Sequence, residues 1–224
     1  MTVSNQNIKS KESRITILLS EERRLVRDAW SLVLNKESRF RVIAECDRPE
    51  SALLQAKNLH PDMIILEIRP PGLRGIEMMP LFQKFSPGSK ILAVSMYSFP
   101  GIAGELMQAG ASGFLTKTSP LKELFEAILQ INEGNQYVCR EIDKTASNQL
   151  KEPCDMEAKL SMISIREIEI LTAIRNGLSS KEIAKQLDIT ERTVTRHENH
   201  MLKTMELNYI SELINLFENH QALI

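Results

Sequence analysis

A chain of 224 residues, 42% hydrophobic and 25% charged, is long enough for two ordinary globular domains, each with its own core. Its formal net charge of -1 gives no overall pull toward nucleic acid, so any DNA binding has to rest on a local patch. The longest apolar runs, ITILL at 15–19 and MIIL at 63–66, fall far short of the ~20 residues that a membrane-spanning helix requires. The polar start MTVSNQNIKSKESR lacks the apolar stretch and small-residue cleavage site of a secretory signal, and the expected location is cytoplasmic. Cys46, Cys139 and Cys154 show neither CxxC nor His-paired spacing, which argues against a zinc site or a disulfide framework.

From Ile15 to about Asn132, short apolar runs alternate with stretches of helical period, the pattern of a parallel sheet covered by helices. The expected strands are ITILL (15–19), RVIAE (41–45), MIIL (63–66), KILAVS (90–95) and GFLT (113–116), nearly continuous in apolar residues as strands covered on both faces should be. Leu25, Val26, Ala29, Trp30 and Val33 form one expected core stripe, and Leu121, Leu124, Phe125, Ile128 and Leu129 another. Five such pairs fit an α/β flavodoxin-like domain with a five-stranded parallel sheet, whose chemistry belongs at the C-terminal edge of its strands. The expected organisation is a tail at 1–12, this domain at 13–132, a polar linker at 133–159 and an all-α domain of four helices at 160–224.

The last segment carries explicit helix signals. Ser164 and Glu167 have capping-box spacing, flanked by Ile163 and Ile168 as a hydrophobic staple, and Gly177 marks the end of that helix. Ser179 and Glu182, with Leu178 and Ile183, repeat the same grammar for a short second helix. Thr190 then caps a third helix running to about Met205. At about 100° per residue, Val194, Met201, Leu202 and Met205 of this helix face one way, and Arg192, Arg196, Asn199 and Lys203 face the other.

Two helices joined by a short turn, the second presenting cationic and amide side chains, suit insertion into the major groove of double-stranded DNA. Thr195, Arg196 and Asn199 are the candidates for base edges. Lys181, Arg192, His197 and Lys203 are the candidates for phosphates, which fix position without reading sequence. A charged stripe also fits a plain solvated face, and from Leu160 onward acidic residues outnumber basic ones. His197 and His200 stand at i, i+3 without the acidic or cysteine companion at ligand spacing that a metal site needs.

The run LSSKEIAKQLDITERTVTRHENHMLKTMEL resembles the helix-turn-helix of the NarL/FixJ/LuxR regulators, over about residues 160–218. The resemblance implies a homodimer on DNA through a fourth helix, here Tyr209 to Glu218 with Ile210, Leu213, Ile214 and Phe217 on one face. Beside it, residues 13–132 resemble the receiver of a two-component response regulator. That family places an acidic pair after the first strand, a phosphoacceptor aspartate at the end of the third, Ser or Thr at the end of the fourth and Lys at the end of the fifth. Here those positions read Glu21 and Glu22, Glu67, Ser95 and Lys117, with Phe114 at the switch aromatic.

Glutamate carries one more methylene than aspartate, and misplacing a reacting atom by ~1 Å can cost ~100-fold in rate. The turn that follows reads EIRPPG, with Pro70 where the family has Met. Glu67 is therefore expected to be a poor phosphoacceptor and no cofactor is expected, with weak residual binding of magnesium and phosphate kept as a third reading beside the two that follow. Either Glu67 presents a standing negative charge that imitates the activated state, or Glu21, Glu22, Glu67 and Lys117 form an ion-pair network that only holds the domain together. A conventional phosphorylated regulator driven by a sensor kinase or other protein input, and a module that sequesters another regulator, remain the alternatives. No glycine-rich phosphate loop, GxSxG elbow or HExxH motif points to an enzyme.

Overall fold

The computed structural model describes residues 14–69, 74–97, 100–142, 159 and 162–222. The expected tail, Pro70, Cys154 and most of the expected linker lie outside these residues, as does the side chain of Glu218.

Six parallel strands form one sheet: β1 (Ile15–Ser20), β2 (Phe40–Cys46), β3 (Met63–Ile68), β4 (Lys90–Ser95), β5 (Gly113–Thr116) and β6 (Tyr137–Val138). Their order is β2-β1-β3-β4-β5-β6, the flavodoxin-like arrangement with one strand added at the far edge. Around them lie α1 (Arg24–Lys36), α2 (Pro49–Leu59), α3 (Arg74–Phe85), α4 (Pro100–Gln108) and α5 (Leu121–Asn132). All six residues of β3 are buried, because it sits centrally with helices on both faces. β2 departs from the expectation of double cover: as an edge strand it is buried only at Phe40 and Cys46.

β6 was not expected, since Tyr137 and Val138 fall in the segment read as linker. Two residues are too short for any periodic signal, yet Tyr137 N–H donates to the Ser112 carbonyl and Cys139 N–H to that of Phe114. Gly113 makes room for it: a Cβ there would lie 2.8 Å from the Tyr137 carbonyl oxygen. Cys139 and Ile142 are buried beyond the strand, so this core extends past residue 132.

α1 also departs from expectation. Leu25 is 82% exposed and Ala29 is exposed, while Ser31 and Leu34 are the buried residues. Polar contacts set this rotation. Ser31 Oγ donates to Glu45 Oε1 at 2.6 Å, and Arg27 Nη1 donates to the Glu21 carbonyl at 2.7 Å. In α5, Leu124 and Ile128 are buried and Phe125 and Leu129 partly so, but Leu121 is exposed.

The C-terminal part comprises α6 (Ile165–Arg175), α7 (Ser180–Gln186), α8 (Glu191–Met205) and α9 (Ile210–Ala222). Both capping boxes form as spaced in the sequence, Ser164 with Glu167 and Ser179 with Glu182, each worth about 1 kcal/mol or a little more. Gly177 takes φ +81°, where a side chain would be strained, and its N–H caps α6 on the Ile174 carbonyl. Ile168, Leu171, Ile183, Val194, Met201 and Met205 close the core between these helices.

The C-terminal helices also touch the sheet domain. The Ile165 N–H donates to Glu105 Oε1 of α4 at 3.4 Å. The Tyr97 and Phe217 rings stack with centroids 6.0 Å apart. Leu213 and Phe217 are buried within the chain, so of the expected dimer face Ile210 and Ile214 are the residues left partly accessible.

Candidate nucleic-acid interface and acidic cluster

α8 is set by its first turn. Thr190 accepts the Thr193 N–H at 3.1 Å, and Glu191 adds negative charge where the helix dipole favours it. Val194, Met201 and Met205 lock the underside. The opposite side presents Arg192, Thr195, Arg196, Asn199 and Lys203, all exposed, with Lys181 exposed at the start of α7. Among the described residues none of these four cations forms an ion pair. The Thr195 hydroxyl donates to the Glu191 carbonyl at 3.2 Å, which leaves its methyl and oxygen lone pairs facing out.

His197 belongs elsewhere. It is only partly exposed, with Nδ1 4.0 Å from Glu167 Oε1, and burial pushes its pKa below the ordinary imidazole value despite that carboxylate. The ring is partly buried and turned toward α6 rather than outward with Arg196, unlike its expected place among the phosphate contacts. His200, one turn further on, is 61% exposed and holds Glu167 Oε1 at 2.6 Å through Nδ1. Its partner is distant in sequence, and the i, i+3 histidine spacing was the only signal of it. Glu198 is half-buried, and desolvation raises its pKa.

The second cluster sits where strands β1, β3 and β5 end. Glu21 follows β1, and its N–H donates to the Cys46 carbonyl; Glu67 is within β3; Lys117 follows β5, with its N–H on the Ser95 carbonyl. The Lys117 ammonium donates to Glu21 Oε2 at 2.5 Å and also to Glu67 Oε1. Glu67 Oε2 accepts the Glu22 N–H at 3.1 Å. Arg69, unforeseen because it lies beyond the motif positions, pairs with Glu22 and stands 3.9 Å from Glu67 Oε1.

Glu21 and Glu67 are both buried, and their pKa values are pushed in opposite directions. Burial pushes the Glu21 carboxyl up, only partly countered by Lys117. Burial would do the same to Glu67, but the Lys117 hydrogen bond, the Glu22 N–H and the Lys117 charge together hold it below the ordinary range. Three carboxyls thus face two cations, Lys117 and Arg69, within one cluster.

Ser95 does not join it. Its hydroxyl donates to the Ile68 carbonyl at 3.1 Å and accepts the Tyr97 N–H at 3.2 Å, so the expected grouping of Ser95 with Glu67 is corrected. Phe114 is fully buried in the core.

A phosphoacceptor needs an oxygen free for in-line attack, and a magnesium ion needs oxygens free to coordinate. Here both Glu67 oxygens are engaged by protein donors. Among the described residues no group of His, Cys, Asp and Glu is arranged to hold a metal. As built, neither oxygen of Glu67 is without a protein donor.

Residues 17–129 match the response regulator receiver domain, and residues 161–217 match the bacterial regulatory proteins of the luxR family. The Fimbriae Z protein of Salmonella typhimurium is 28% identical over 208 residues, covering 93% of this chain and 98% of that protein. The nitrate/nitrite response regulator protein NarL of Escherichia coli K12 is 29% identical over 199 residues, covering 88% and 92%. Among solved structures, RcsB from Salmonella enterica serovar Typhimurium, bound to promoter rprA, superimposes with a TM-score of 0.69 at 16% identity, covering 91% of this chain and 98% of that one. A LuxR-family two-component response regulator from Aurantimonas gives 0.58 at 26% identity, over 62% of this chain and all of that one (100%). No described helix is long and apolar enough to cross a membrane. With a receiver in its first part and a luxR-type helix-turn-helix in its second, the chain belongs to the response regulators of the NarL/LuxR type.

Proposed function

We propose that this chain is a transcription regulator that grips duplex DNA by seating α8 in the major groove, and that its receiver is not switched by phosphorylation at Glu67. Thr195, Arg196 and Asn199 meet base edges, while Lys181, Arg192 and Lys203 meet phosphates. One observation carries the DNA assignment: these side chains stand exposed on one face of a helix whose other face is locked in a core. The solved complex of RcsB with promoter DNA supports it by likeness of fold.

The receiver assignment rests on the engaged oxygens of Glu67. Of the two meanings open from sequence, the ion-pair network is favoured over a standing mimic of phosphate, because a mimic requires an uncompensated charge and Lys117 and Arg69 compensate this one. Input then comes through a protein contact rather than a kinase's phosphoryl group. On DNA the chain acts as a homodimer, its contact shifted to the accessible side of the 209–218 segment, where Tyr209 is 68% exposed.

The test is selection of a preferred duplex from a random pool by the full chain, followed by anisotropy titration against random DNA. Enrichment of a defined sequence supports the proposal. A chain that enriches none, but retains another regulator, is a sequestering module instead. For the receiver, incubation with acetyl phosphate and magnesium followed by intact-mass measurement is expected to leave the mass unchanged; a stoichiometric phosphoryl gain restores the conventional alternative.

A further inference from the structure

We propose that His200 is a further DNA-contacting residue of α8, directed at a backbone phosphate, and that Glu167 of α6 is the residue that positions it. The inference rests on the DNA-binding role of α8 proposed above and deepens it.

Three observations carry it. First, His200 lies four residues beyond Arg196, about 40° round the helix, and so shares the outward face with Arg196 and Lys203 rather than the core side of Met201 and Met205. Second, its ring is fixed without being buried: Nδ1 lies 2.6 Å from Glu167 Oε1, while the side chain stays 61% exposed. A carboxylate only accepts here, so Nδ1–H is the donor. With Nδ1 turned inward, Nε2 is the nitrogen left for an outside partner.

Third, Glu167 is itself held rigidly. Its other oxygen, Oε2, accepts the Ser164 N–H at 2.9 Å and the Ser164 hydroxyl at 2.8 Å, and the residue is buried. One carboxylate thus closes the capping box of α6 and orients a ring on α8. This is the second-tier support that a contact residue needs if its direction is to be defined before ligand arrives.

Contact with a phosphate requires the ring to carry a proton on both nitrogens, Nδ1–H donated to Glu167 and Nε2–H to the phosphate oxygen, in a chain of carboxylate, ring and phosphate. The neighbourhood explains why His200 serves and His197 does not. His197 also faces Glu167, but it is turned inward and feels Arg196 and Arg166. Arg166 in turn is bound to the buried Glu169 at 2.9 Å. Glu105 of the receiver approaches the same capping turn through the Ile165 N–H.

A phosphate contact is independent of sequence, so a random-sequence DNA duplex is a sufficient probe. The full chain and its His200→Ala, His200→Lys and Glu167→Gln variants are titrated against it over a range of salt concentrations. Glutamine at this position preserves a capping box, and circular dichroism checks the fold of each variant. His200→Ala should bind about tenfold more weakly, as loss of one charge-assisted contact implies, with the slope of log affinity on log salt smaller by about one. His200→Lys should restore both quantities, as a packing role for the ring would not. Glu167→Gln should weaken binding in the same direction, and adding it to His200→Ala should cost nothing more.

If folded His200→Ala binds like the wild type with an unchanged salt slope, the inference is overturned and the role of α8 stands. If the wild-type chain binds no duplex, both fall together.

Discussion

At the C-terminal edge of the sheet, Glu21, Glu22, Glu67, Arg69 and Lys117 close on one another until little charge is left to offer. On α8, Arg192, Arg196 and Lys203 are held apart by the helix and stand open to solvent. The first arrangement spends its electrostatics on the fold, and the second keeps them for a partner. A charged cluster is therefore judged by whether its donors and acceptors are already used.

Breaking the closed cluster should have the largest effect. Lys117→Ala strands two buried carboxylates and should lower stability by roughly 3–5 kcal/mol, measured by urea unfolding. A loss under about 1 kcal/mol would place the cluster with ordinary surface pairs. The two buried carboxyls respond to acid in opposite senses. Glu67, held below its ordinary value, contributes stability that is present above about 4.5 and lost as pH falls through its folded value, whereas Glu21, held above, contributes in the opposite sense.

Breaking the open face should leave stability almost untouched and change binding instead. Arg196→Ala should cost about 1–3 kcal/mol on the selected duplex and relax its sequence preference, while Lys203→Ala should weaken all duplexes alike and reduce the salt slope by about one. Identical behaviour of the two variants in anisotropy titrations would erase the distinction between base and phosphate contacts.

Between these lie the helix starts. Ser179→Ala removes the cap of α7 and should lower the melting midpoint by the equivalent of about 1 kcal/mol, with little effect on sheet unfolding if the two parts melt separately. The smallest expected effect concerns β6. Burial, with the Glu123 and Glu126 carboxylates, pushes the Tyr137 phenol up to about 12. Its contribution to stability is complete below about 10 and fades as pH rises through that folded value. Ultraviolet titration of the phenolate reads it directly, and ionisation near the ordinary value would mean that β6 is not seated on the sheet.

The helix signals of the C-terminal part were legible because they are local. A Ser and a Glu three residues apart, or a Gly one position past a periodic run, carry their own geometry. The strands were legible for the same reason where they are central and apolar, as β4 and β5 were to the residue. What escaped depends on distant partners. The rotation of α1 follows from Ser31 meeting Glu45, the pairing of β6 from a gap left by Gly113, and the place of Arg69 from the carboxylates of Glu22 after β1 and Glu67 in β3. His197 and His200, three residues apart on one helix, received different roles because Glu167, thirty residues earlier, holds one inward and the other out.

The most direct test of the central contrast is one titration of the full chain against its selected duplex, in the presence of random competitor, before and after incubation with acetyl phosphate and magnesium. An open α8 and a closed receiver cluster predict a sequence preference that is present from the start and unchanged by the phosphodonor. A preference that emerges only after phosphodonor treatment, or none under either condition, would contradict it.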